Sequence, residues 1–329
     1  MFKQGTWGRI ILRLWVAVSV VLLALVAVSV AAGSLLPTGG EVAYMSNQRG
    51  NPGTWDIFVL DVARGLSAPL TSDPLDERYP AYSPDGSQIL YHANPNDIDY
   101  DLYVMNADGS AQRRLGLGDL GDYHEEAMGA WEPNGEAVIF HGGLRSGEFS
   151  LYIGDVASGD YYPVADVPLD AIHADWSPDG RHLVFTAREV FDSNNYERYT
   201  DLYVLEMAGD LFQPGGANLR RLTVGDTNQA YFPTWSPDGT QIAFVMSVPG
   251  YTDDHIYVMN ADGTEMRNIT ASVNASNTHP EWLPDGRILF ASNRADGLDF
   301  DLYIMEADGS NVQQLTNEPG DEQAPDWRP

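Results

Sequence analysis

From about residue 40 onward, hydrophobic and polar residues alternate in short runs that are closed by proline or glycine turns, a spacing that predicts half-buried β-strands rather than helices. One stretch shows the pattern fully. His279 to Trp282 reads as a short strand, Pro284-Asp285-Gly286 turns it back, and Ile288 to Ser292 alternates as a second strand. After a loop, Leu302 to Glu306 is a third strand, Asp308-Gly309 supplies the residues of a tight hairpin, and Val312 to Thr316 is the fourth. The first residues differ. Leu14 to Leu36 carries no charge over 23 residues, long enough for the roughly 20 that span a hydrocarbon core.

That stretch predicts one transmembrane helix or a long signal peptide. The basic flank of Lys3, Arg9 and Arg13 (residues 1–13) favours a cytoplasmic N-terminus and places the body outside. Ser29-Val30-Ala31-Ala32 would suit a signal peptidase, so anchor (residues 14–36) and cleaved leader both stay open. Residues 37–40 then read as a linker.

The four-strand pattern repeats. An aromatic followed by a proline turn recurs at Tyr82, Trp131, Trp176, Trp235, Trp282 and Trp327, with spacings of 49, 45, 59, 47 and 45 residues. A second marker, at Asp56, Asp101, Ser150, Asp201, His255 and Asp301, recurs at 45, 49, 51, 54 and 46. A meander of this length cannot bury both faces alone, but copies arranged radially about an axis can. The segment beginning at Glu41 reads as a second strand and that ending at Trp327 as a first strand, so the two complete one unit. The expectation is an all-β fold, a six-bladed β-propeller over residues 41–329 closed by N- and C-terminal strands sharing one blade, preceded by the membrane helix or signal peptide.

The residues W-S-P-D-G, then a hydrophobic strand, then D-L-Y-V-M-N-A-D-G-S and a terminal L-T, resemble the propeller repeat of the TolB-like (WD40-like) family. Copies at Tyr82 to Leu115, Trp235 to Thr270 and Trp282 to Thr316 match nearly throughout. The copy at Trp131 departs with Glu132, Asn134 and Ser150, and the copy at Trp176 carries an insertion from Phe191 to Thr200. The resemblance covers residues 41–329 and implies the fold more strongly than a role. The expectation is a propeller without the family namesake's N-terminal α/β domain and without the peptidase domain in front of which similar propellers stand as gates.

In a meander blade the PDG and ADG hairpins share one face, while the connections between second and third strands and between blades share the other. The second set varies in length, as binding loops on a scaffold do. It includes Ser72 to Arg78, Asn94 to Tyr100, Gly116 to Gly129, Glu189 to Thr200 and Ser247 to Asp254. Three residues before each first-strand aromatic lie Tyr79, Met128, His173, Phe232, His279 and Ala324, expected to ring the channel mouth on the loop face. One residue before it lie Ala81, Ala130, Asp175, Thr234, Glu281 and Asp326, which strand alternation turns to the same side. Tyr79, Met128, His173, Asp175, Phe232, His279, Glu281 and Asp326 are thus the candidate binding residues.

Imidazole with carboxylate is also chemistry that holds a divalent cation such as Ca or Mn, and His173, His279 and Glu281 would be its ligands. The alternative is a solvent-lined shaft that needs no cofactor. Asp56, Asp101, Asp201 and Asp301 recur at one repeat position, which points to a structural hydrogen bond. Acids at Asp97, Asp99 and Asp101, and at Asp296, Asp299 and Asp301, alternate as in a calcium loop but lack its twelve-residue arrangement.

Composition narrows the partners. With 18 Lys and Arg against 47 Asp and Glu, the net charge of −29 opposes nucleic acid, whose recognition needs clustered cations. There is no cysteine, which removes thiol catalysis and disulfides. No nucleophile elbow, H-E-x-x-H or phosphate loop is present in the sequence. The expected role is a non-catalytic extracytoplasmic platform, a monomeric propeller on the periplasmic or cell-surface side, binding a protein, peptide or cell-envelope component through the loop face. The alternative is a metal-dependent, lyase-like carbohydrate-active enzyme at the channel mouth, because some similar propellers are lyases with a metal held by histidines there.

Overall fold

The computed structural model describes residues 40–48, 54–95, 100–115, 124–144, 148–165, 167–168, 170–188, 200–212, 215–224, 228–247, 253–271 and 274–329. These residues are all strand, turn and loop, and none of their segments is a helix long and apolar enough to cross a membrane. The helix expected over residues 14–36 lies outside the described residues, as do large parts of the variable loops.

Five sheets form. The first runs Glu322–Trp327, Glu41–Ser46, Asp56–Asp61, Leu66–Pro69, so the last strand of the sequence pairs with the first described one. Val42 faces Trp327 and Ser46 faces Glu322 in that pairing. Asp76–Tyr82, Gln88–Asn94, Asp101–Asn106 and Arg113–Arg114 make the second, and His124–Trp131 through Tyr161–Pro163 the third. Asn277–Trp282 through Gln313–Gln314 make another of four strands.

The expectation of six separate blades is corrected by this topology. Four blades stand as separate four-stranded sheets, and the strands from Ile172–Trp176 to Arg267–Asn268 form one continuous eight-stranded sheet. The join is a parallel pairing of Thr200 with Gln229, reinforced by the Thr200 hydroxyl donating to the Ala230 carbonyl at 3.0 Å. Thr200–Ala208, at nine residues, is long enough to reach the first strand of the following repeat, which repeat spacing alone did not reveal.

Both faces of the second strands are buried, which is why they read as apolar runs rather than strict alternations. Each apolar cluster joins strands of neighbouring repeats. Leu90, Leu102 and Val104 pack on Trp131, Val138 and Phe140, and Val42, Tyr44 and Phe58 pack on Leu289, Ala291 and Leu302, tying the start of the fold to its last complete repeat.

The repeated polar residues hold the strands at their ends. In the L-T motif, the hydroxyls of Thr71, Thr223, Thr270 and Thr316 accept from the third-strand N–H of Ile57, Leu202, Ile256 and Leu302 at 2.8 to 3.0 Å. Asp101, Asp201 and Asp301 are buried and accept from fourth-strand or following side chains: Arg114 at 2.5 Å, Thr223 at 2.8 Å with Arg221 at 2.5 Å, and Gln314 at 2.9 Å. Asp56 opens its strand at the equivalent position and is half-buried.

Candidate functional site

Every first strand is interrupted at one place. Register shifts fall between Arg78 and Ala81, Ala127 and Ala130, Ile172 and Asp175, Tyr231 and Thr234, and Thr278 and Glu281, with the same irregularity in Glu322–Trp327. Each is a bulge with one extra residue on the inner strand. Tyr79, Met128, His173, Phe232, His279 and Ala324 adopt positive φ there, between 49° and 52°. Side chains in that left-handed region cost about 1 kcal/mol or more each, so six such residues on one ring are held by their surroundings.

The bulges direct the rings of four of these residues toward the axis. Phe232 lies between two imidazoles, its centroid 4.3 Å from His173 and 4.1 Å from His279, and Tyr79 stands 5.5 Å from His279 and 6.4 Å from Phe232. These rings divide the centre of the fold into two cavities.

The first, about 340 Å³, is lined by both predicted sets, from Tyr79, Met128, His173, Phe232, His279 and Ala324 to Ala81, Ala130, Asp175, Thr234, Glu281 and Asp326. Ser83, Pro84, Pro284 and Pro329 continue the wall, so this cavity extends toward the hairpin face. The carboxylates therefore do not sit on the loop face, where the sequence reading put them. The Asp326 carboxylate accepts from the Tyr82 N–H at 2.6 Å and that of Asp175 from the Trp235 N–H at 2.9 Å, each linking two repeats. Glu281 accepts from the Thr234 hydroxyl at 3.3 Å.

Enclosure by protein raises all three acids, because the ionised form is poorly solvated there. Asp175 is pushed up to about 6. Glu281 is held well above the usual carboxylate range, first by burial and then by the charges of Asp326 and Asp175. Asp326 is pushed up to about 7 by burial, with Asp175 adding repulsion. Burial acts oppositely on the histidines, lowering His279 to about 3 and His173 well below its ordinary value.

A divalent metal does not fit His173, His279 and Glu281 as arranged, since the Phe232 ring stands between the two imidazoles. Among the described residues no group of three or more His, Asp or Glu is set to hold one.

The second cavity, about 290 Å³, lies on the opposite side of the rings, toward the loop face. Tyr79, Met128 and His173 line it too, and it adds residues that the sequence reading did not select: Arg78, His92, Tyr100, His141, Phe149, Asp170 and Arg188. Arg78 makes a bidentate pair with Asp76 at 3.1 and 2.8 Å, and Tyr100 donates to the same carboxylate at 2.5 Å. Arg188 reaches Asp170 only at 3.5 Å. His92 Nε2, His141 Nδ1, His173 Nδ1 and Arg188 Nε are buried without hydrogen-bond partners among the described residues. A signal for two of them existed: His92 and His141 each fall ten residues after a first-strand aromatic, Tyr82 and Trp131.

The solved TolB of Acinetobacter baumannii matches this architecture over 88% of the present chain and 67% of its own, with a TM-score of 0.67 at 20% identity. A manganese-bound oligogalacturonate lyase matches 85% of this chain and 74% of its own, with a TM-score of 0.52 at 17% identity. At such identities the likeness is one of fold. In sequence, the Tol-Pal system protein TolB of Francisella tularensis subsp. mediasiatica is 24% identical over 254 residues, which is 75% of this chain and 52% of that protein. The chain thus spans about half the length of the curated TolB relatives it matches. The family model of the TolB β-propeller domain matches residues 23–204 and 218–329, taking in strands of every sheet, and by that match the chain belongs to the TolB β-propeller family.

Proposed function

We propose that the chain is a non-catalytic binding platform displayed outside the cytoplasmic membrane, taking a protein, peptide or cell-envelope component on its loop face. The observation that carries this reading is the cluster of unpartnered imidazole and guanidinium nitrogens in the cavity toward the loop face. Turns on the hairpin face satisfy themselves: Asp85, Asp179 and Asp238 each accept from a serine hydroxyl of their own turn at 2.6 to 2.7 Å and from a backbone N–H. The cavity toward the loop face holds buried nitrogen atoms with no partner among the described residues, a state that costs about 1–3 kcal/mol per group unless a ligand relieves it. Val224 and Leu298, in connections on that face, are 80% and 77% exposed. Membership of the TolB propeller family, some of whose members are named for the Tol-Pal system, supports an assembly role over a reaction.

The test is capture of envelope proteins by the full chain, in detergent, against two variants. Val224→Asp with Leu298→Asp places charge on the loop face, and Leu66→Asp places it on the hairpin face, where Leu66 is 63% exposed. Loss of a captured protein in the first and its retention in the second is the expected result. Equal capture by both would remove the loop face from the account.

A further inference from the structure

The loop-side cavity has a hydrogen-bonding demand that defines what can fill it. The Met128 N–H donates to His92 Nδ1 at 3.3 Å, so the ring's proton is on Nε2. His92 is buried, 4% exposed, and that Nε2–H finds no acceptor among the described residues. Arg188 Nε is likewise an obligate donor, buried and unpaired, on a guanidinium whose contact with Asp170 is long. His141, 5% exposed, and His173 offer one more unpartnered nitrogen each and can present a proton there by choice of tautomer.

Donors without acceptors call for a group that only accepts. An ionised carboxylate is such a group, whereas an alcohol brings a proton that needs an acceptor of its own. Size and charge agree. At about 290 Å³ the cavity lies at the low end for a small-ligand site, suited to one acidic side chain or a small free acid. Both guanidiniums already face a carboxylate, Asp76 or Asp170, so a dianion would meet about twice the repulsion that a single carboxylate meets in a chain of net charge −29. Aromatic edges complete the walls, with Tyr100 4.8 Å from the His92 ring and Phe149 5.5 Å from that of His141.

We propose that this cavity receives a single carboxylate, seated on His92 Nε2 and Arg188 Nε between the walls made by Tyr79, Tyr100 and Phe149. The inference deepens the loop-face reading by naming the chemistry of the group received there. It stands apart from the capture experiment, because it concerns a small group that can be supplied without a partner.

The experiment uses the full chain in detergent with 15N-labelled histidine, read by imidazole nitrogen resonances at about 0.15 M salt to screen the acidic surface. The probes are butyrate, its neutral amide and inorganic phosphate, together with a capped hexapeptide whose one charged residue is Glu or, in its control, Gln in that place. Butyrate should shift His92 and His141 or His173 while His182 and His255 stay fixed, and the amide should bind at least about tenfold weaker, as loss of a charge-assisted bond predicts. Arg188→Gln should weaken butyrate by a similar factor. His92→Phe, which keeps a ring in the wall, should do the same and guards against a misfolded variant when its thermal melt is unchanged. Tighter binding of the Glu peptide than of butyrate assigns the carboxylate to a partner chain, and the reverse assigns it to a free acid. Unmoved histidines, equal response to the amide, preference for phosphate, or full affinity in both variants would each overturn the proposal.

Discussion

Replacing Asp175 by Asn removes a charge from the hairpin-side cavity while leaving an oxygen to accept from the Trp235 N–H. Burial holds the Asp175 carboxyl at about 6 against an ordinary 3.8. The folded state therefore keeps its proton over a range in which the unfolded chain has lost it. Stability from this group is fully present below the ordinary value and is lost as pH rises through about 6. The gap is worth about 3 kcal/mol at ~1.4 kcal/mol per pH unit, as an upper bound, since cavity water solvates part of the charge. Urea unfolding of the wild-type chain and Asp175→Asn from pH 4 to 8 measures it, with the difference between the two curves cancelling the titrations that do not feel the Asp175 charge. The variant should be the more stable by up to about 3 kcal/mol near pH 8 and level with wild type near pH 4. Because the Asp175 charge also raises Asp326, the variant should shift the remaining pH dependence to lower pH. A difference that is flat across the range would refute the claim that these carboxyls are enclosed.

Thr223→Val leaves the buried Leu202 N–H without its acceptor and takes from the Asp201 carboxylate one of its donors, Arg221 remaining, and should cost about 1–3 kcal/mol in chemical denaturation; an unchanged midpoint would show that the L-T motif does not hold the strand end. Gly309 has φ of 85°, and a Cβ there would lie 2.1 Å from the Ile269 carbonyl oxygen, so Gly309→Ala should lower stability by about 2 kcal/mol or more, read as a drop in melting temperature that a tolerant hairpin would not show. Ala324→Gly should be neutral or stabilising by about 1 kcal/mol, because glycine relieves the positive φ of 49° at little loss of side chain; a clear destabilisation would mean that the Ala324 methyl matters more than the strain.

Much of the strand layout was legible because turn chemistry is local. Pro284-Asp285-Gly286 and Asp308-Gly309 mark hairpins without reference to anything distant, and counting back from Trp176 or Trp282 reached the cavity wall in every repeat. What remained hidden depends on the third dimension. The Thr200 to Gln229 pairing joins the ends of strands from two repeats, a contact that no spacing encodes. Arg188 and His92 come to one cavity from the ends of second strands in different repeats, at positions that alternation alone marks only as inward or outward. The bulge had a partial signal in the proline after Tyr79, Phe232, His279 and Ala324, yet Met128 and His173 reach the same φ without one.

The bulges also explain why one set of residues serves two cavities. In a regular strand, residues three and one before the aromatic would point the same way and form one continuous lining. The extra residue turns the backbone at Tyr79, His173, Phe232 and His279, so that their rings meet near the axis at 4.1 to 6.4 Å. Carboxylates placed two residues further along, Asp175, Glu281 and Asp326, are left on the hairpin side, enclosed and raised. The His92 and His141 imidazoles and the Arg188 guanidinium, on the neighbouring second strands, are left on the loop side with buried nitrogen atoms that lack partners among the described residues. The three enclosed acids Asp175, Glu281 and Asp326 thus line the cavity on one side of the rings, and the unpartnered nitrogens of His92, His141 and Arg188 line the cavity on the other. A ligand carboxylate on the loop side is thus separated by a layer of rings from Asp175, Glu281 and Asp326, which would otherwise repel it.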